Sequence, residues 1–141
     1  MQNQVTIFRA LLIVSIVLSI IGALIDFVFP GLLPESLSSA YETYAATEAS
    51  MTAIIVAGLA SIALMVVAIV ATVGLLVLQR WARSLALWST VASFLMYPFL
   101  GAMLQSGLAV MLAYIAMTLW GAALAMAYYS DVKSHFQRPA G

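Results

Sequence analysis

Few side chains in this chain could do chemistry in an apolar setting, and Asp26 is the first of them. It is the one acid inside a long apolar run. Ser15, Ser19, Gly22 and Asp26 recur at i, i+4, i+7 and i+11, so a helix carries them on one face. An ionisable group there is costly in lipid and often marks a proton or cation pathway. The plainer role is that Asp26, one turn before Pro30, reaches the headgroups from a helix end. Tyr97, Pro98 and Tyr114 are the other candidates. A proline inside a helix frees the carbonyl one turn earlier, near Phe94, and kinks the helix. Ser89, Ser93 and Tyr97 share a face, and Gln105, Ser106 and Tyr114 fall near the same end. The expectation is a small polar cluster of Asp26, Tyr97 and Tyr114 that binds a ligand or ion, with Pro98 as the kink beside it.

Other chemistries are poorly served. There is no cysteine, which removes disulfides, thiolates, iron–sulfur ligation and covalent haem attachment. The single histidine, His135, and the single lysine, Lys133, both fall in the final segment, away from any apolar-run serine that they would need to activate. Paired-carboxylate chemistry needs two acids about 5–10 Å apart, and only Asp26 lies in an apolar run. No glycine-rich phosphate loop is present. Met65, Met96, Met103, Met111, Met117 and Met126 are scattered and read as gap-fillers. Trp120 falls mid-run, and its indole N–H needs an acceptor, most simply a neighbouring serine or threonine. The reading is therefore not an enzyme, with no cofactor and no metal. The formal net charge of zero gives no basis for a nucleic-acid partner.

The elements that must position these residues are membrane helices. The chain is 65% hydrophobic and 7% charged, where soluble domains carry roughly 25% charged residues. The runs are continuous rather than alternating, which favours helices over a barrel. Charge is absent from Met51 to Gln79 and again from Ser84 to Ser130. The expected fold class is all-α: an integral membrane four-helix bundle forming one transmembrane domain. Its spans are about 7–29, 51–78, 83–104 and 107–129, with an outer loop over 30–50 and a tail over 131–141. The first span leads into Ile25-Asp26-Phe27 rather than a small-residue cleavage site, and is expected to be retained. Pro34-Glu35 should start a short helix in the loop, and Gln105-Ser106-Gly107 should break the last apolar run.

Charge sets the orientation. Arg9, Arg80, Arg83, Lys133 and Arg138 fall on one side of a four-span arrangement, and the loop with Glu35, Glu42 and Glu48 falls on the other. The positive-inside rule then puts both termini in the cytoplasm, with Arg9, Arg80, Arg83 and Lys133 as topology anchors in a bacterial inner (plasma) membrane. Small residues recur at helical spacing: Ala53, Ala57 and Ser61, then Ala109 and Ala113, then Gly121 and Ala125. Such stripes let helices approach closely.

In size and span number the chain resembles the small multidrug exporters. Those carry their essential acid in the middle of the first helix, whereas Asp26 is near its outer end, and the chain is assigned to no family. The expected partners are membrane lipids and either further copies of the chain or a larger membrane protein. The functional expectation is an accessory, scaffold or immunity-type subunit acting through helix packing and the acidic loop. The alternative is a small oligomeric transporter or channel component using Asp26 and the Pro98 kink.

Overall fold

The computed structural model describes residues 2–32, 34–48, 51–99 and 104–136. The regular elements among them are all helical: α1 (Gln2–Val28), α2 (Glu35–Glu48), α3 (Met51–Leu76), α4 (Arg80–Met96), α5 (Gly107–Tyr129) and α6 (Val132–His135). Among the described residues, three helices are long and apolar enough to cross a membrane, over Asn3–Val28, Gly58–Leu76 and Gly107–Tyr129. α4 has 17 residues. At ~1.5 Å per residue it rises about 26 Å, short of the ~30 Å of a hydrocarbon core.

Local chemistry explains each end. Pro30-Gly31 closes α1 in a 3-10 turn over Pro30–Leu32, and α2 begins directly after Pro34 with Glu35 in its positive first turn. α3 ends in a Schellman arrangement. The Gln79 N–H donates to the Gly74 carbonyl at 2.8 Å, and the Leu78 N–H to the Leu75 carbonyl at 3.0 Å. The residue that turns the chain is Leu78, with φ 60°, where glycine is the usual occupant.

α4 departs from the expected span, a kinked helix running through to residue 104. Pro98 has no N–H to give the Phe94 carbonyl, so the Tyr97 N–H takes that carbonyl instead. The helix tightens into a 3-10 turn over Tyr97–Phe99. Pro98 therefore ends the α-helix rather than bending it.

The helices pack as two antiparallel pairs, α1 with α5 and α3 with α4. The α1–α5 seam is made of small or snug residues, with Ser15 on one side and Ala109, Ala116 and Ala123 on the other. A Cβ on Gly22 would stand 3.4 Å from the Ala109 carbonyl oxygen. The second pair closes most tightly beside its turn: a Cβ on Gly74 would meet the Ala82 Cβ at 2.6 Å and the Trp81 ring at 2.9 Å. The pairs join at that same end. Phe8, Leu12, Ala71, Leu75, Ala82, Ala86, Ala123, Leu124, Ala127, Val132 and Phe136 form one buried cluster, with Phe8 edge-on to Phe136 at 5.9 Å. Away from it, none of the described residues of α3 before Ala71 or of α4 after Ser89 is buried.

Candidate functional site

The polar side chains converge on the two ends of α5. Ser106 precedes the helix in an extended conformation, and its Oγ accepts the Ala109 N–H at 3.2 Å. This N-cap satisfies one of the amides that a helix start leaves without a partner. Asp26, reaching across from the last turn of α1, completes it. Its Oδ2 accepts the Ser106 N–H at 2.9 Å, and its Oδ1 accepts the Ser106 hydroxyl. The carboxylate thus lies at the positive end of the α5 dipole, where negative charge is stabilised. The chemistry available to Asp26 is that of a fixed hydrogen-bond acceptor, with one Ser106 donor on each oxygen.

Tyr97 and Tyr114 do not join it. They are 59% and 66% exposed, and no hydrogen bond links either to Asp26 among the described residues. Of the expected serine face on α1, Ser15 is buried and Gly22 meets α5, while Ser19 is exposed. Leu18 beside it is half-buried.

At the other end of α5, the arginines of the α3–α4 turn do the complementary work. Arg80 and Arg83 occupy the first turn of α4, the wrong end of that helix for positive charge. Both instead reach carbonyls of the last segment. Arg83 Nη1 donates to the Ala127 carbonyl at 3.1 Å, one of the last carbonyls of α5, which have no intrahelical donor. Its guanidinium stacks 5.4 Å from the Tyr128 ring centroid and 5.1 Å from that of Phe136. Arg80 Nε donates to the Phe136 carbonyl at 3.1 Å. α5 is therefore held by an anion from α1 at its start and by a cation from α4 at its finish.

The remaining anchors stand apart. Lys133 is exposed on α6. Arg9, with Val5, Thr6, Leu78 and His135, lines an open cleft of about 420 Å³ between the start of α1, the α3–α4 turn and α6. Trp120 finds its acceptor in a threonine: Nε1 donates to Thr90 Oγ1 at 2.9 Å, joining the two helix pairs at mid-height. The small-residue stripes divide. Ala109 is buried, whereas Ala113, Gly121, Ala125 and Ser61 are exposed. Arg138, Met103 and the side chains of Glu48, Ala53 and Ala57 lie outside the described residues.

Two residues, Ser106 and Gly74, carry signals in the sequence that the expectation of a tyrosine cluster does not use. Ser106 before an apolar run is the signature of an N-cap, and such a cap draws carboxylates. Gly74 inside α3 marks a close approach. Leu78 has no such signal. Among the described residues no group of three or more His, Asp or Glu side chains could hold a metal ion. Comparison with family models, with curated proteins and with solved structures finds no match.

Proposed function

We propose that this chain is a four-pass membrane protein that acts as an accessory or scaffold subunit through lateral helix contacts, with its acidic loop on the outer side. Both termini and the Arg80–Arg83 turn lie in the cytoplasm of a bacterial inner membrane. Geometry supports α4 as the fourth pass despite its length. Arg80 bonds near the finish of α5, while Ser106 caps its start. The chain between them must cover the length of α5, about 34 Å for its 23 residues. α4 and its 3-10 turn rise about 26 Å plus ~6 Å, enough to cross.

The observation that carries the subunit reading is the bare outer half of α3. Ile55, Val56, Leu59, Ile62, Met65 and Val66 are all exposed, Ser61 is exposed among them, and a Cβ on Gly58 would meet nothing within 4 Å. Gly58 and Ser61 give this otherwise large and apolar surface a small-residue step of the kind that membrane helices use against one another. The transporter alternative has less support, because both oxygens of Asp26 already hold Ser106. Site-specific cross-linking from a photoreactive residue at Leu59 in native membranes tests the proposal. A discrete protein adduct is expected, lost when the loop over 32–50 is replaced by a neutral linker. Adducts with lipid alone, or proton-coupled flux abolished by Asp26→Asn, would contradict it.

A further inference from the structure

We infer that the cleft between α1, the α3–α4 turn and α6 is a binding site for the phosphodiester headgroup of an anionic phospholipid. The inference rests on the proposed placement of the basic end at a headgroup layer. The cleft measures about 420 Å³ and is open to its surroundings. Its openness suits a ligand that stays attached to a bilayer. Five described residues line it: Val5, Thr6, Arg9, Leu78 and His135. Arg9 and His135 can both donate to phosphate oxygens. No carboxylate is among them. Asp131, the nearest acid in sequence to His135, is exposed on the turn before α6 and does not line the cleft.

Three further observations point to a lipid. Arg9 makes no hydrogen bond or ion pair among the described residues, unlike Arg80 and Arg83, whose guanidinia are engaged within the fold. A guanidinium is the side chain best shaped for phosphate oxygens. Leu78 projects a large apolar side chain from a left-handed backbone, φ 60°, where glycine would turn the chain without strain. Its side chain packs partly against the core and also lines the cleft as an apolar wall. Finally, Ile13 and Ile20 lie on the face of α1 that carries Arg9, and both are exposed. They extend along α1 beyond the cleft and offer acyl chains an apolar surface that free phosphate would not use.

The test is lipid retention by the full chain, measured by native mass spectrometry from mild detergent supplied with equal phosphatidylglycerol and phosphatidylcholine. Wild type is expected to retain phosphatidylglycerol selectively. Arg9→Gln should lower the retained fraction about tenfold, the worth of a hydrogen bond to a charged group. Arg9→Lys should recover part of the loss, and Leu78→Gly should lower retention with Arg9 intact. Lys133→Gln, outside the cleft, should leave it unchanged. Arg9 is exposed, so Arg9→Gln should keep the helical circular dichroism of wild type. Equal retention of both lipids, no effect of Arg9→Gln, or displacement of lipid by inorganic phosphate would overturn the assignment. Labelling of Ser134→Cys in vesicles reads where the basic end lies independently of lipid. Loss of selectivity with that end still at the headgroup layer therefore defeats the site alone.

Discussion

Truncating Asp26 should loosen α5 at its start, and a double-mutant cycle with Ser106 can measure how much. Asp26→Ala removes the acceptor for the Ser106 N–H and for its hydroxyl. A hydrogen bond to a charged group contributes about 1.5–3 kcal/mol, and charge at a helix N-terminus a further ~0.3–1 kcal/mol. Asp26 is half-buried, and water can replace part of what is lost. Asp26→Ala should therefore cost about 2–4 kcal/mol. Asp26→Asn keeps one oxygen for the Ser106 N–H, and the hydroxyl can turn to accept from the new amide, so it should cost only ~1 kcal/mol. Ser106→Ala should cost about 1–2 kcal/mol, because it also removes the cap on the Ala109 N–H. The two truncations share a bond, so their effects should fall short of additive by about 1–2 kcal/mol. Unfolding followed by circular dichroism in mixed micelles of rising dodecyl sulfate content gives the energies, and hydrogen exchange at residues 107–110 localises the loss. Cycles of Asp26→Ala with Tyr97→Phe and with Tyr114→Phe should show coupling below ~0.5 kcal/mol. Strong coupling to either tyrosine, or an Asp26→Ala variant as stable as wild type, would refute the capping role.

Three other perturbations test the packing. Gly74→Ala would place a Cβ 2.6 Å from that of Ala82. The overpacking, about 1–3 kcal/mol, should exceed the ~0.5–1 kcal/mol gained in helix propensity. The same unfolding assay should show a net loss, whereas Gly121→Ala, which meets nothing within 4 Å, should show none. Trp120→Phe removes the donor to Thr90 Oγ1 and should cost ~0.6–1.7 kcal/mol, the range for side-chain bonds between membrane helices. Arg83→Ala should raise hydrogen exchange at the finish of α5 by leaving the Ala127 carbonyl without its donor. Arg83→Lys should rescue it only partly, because an ammonium cannot stack flat on Tyr128 and Phe136.

The helices themselves are legible in the sequence, because a run without charge has few alternatives in lipid. The break before Gly107 and the need of Trp120 for an acceptor are legible for the same reason: a polar group in hydrocarbon has few partners. The direction of each helix face is not. Both the lipid side and the protein side of a membrane helix are apolar, so periodicity cannot choose Ala109, Ala116 and Ala123 over Gly121 and Ala125 as the α5 seam. The role of Asp26 is hidden by distance, because its partner Ser106 is 80 residues away, and depth alone favours the tyrosines. Pro98 is plain in the sequence, but a proline can either bend a helix or end it, and its position does not decide which. Here the Tyr97 N–H takes the Phe94 carbonyl in a tighter turn, and the helix ends.

The absence of native cysteine makes one measurement direct: single-cysteine labelling with a membrane-impermeant maleimide in intact cells and after permeabilisation. Glu42→Cys should label in intact cells, and Gln79→Cys and Ser134→Cys only after permeabilisation. Labelling of Glu42→Cys and Gln79→Cys from the same side would contradict the four-pass arrangement.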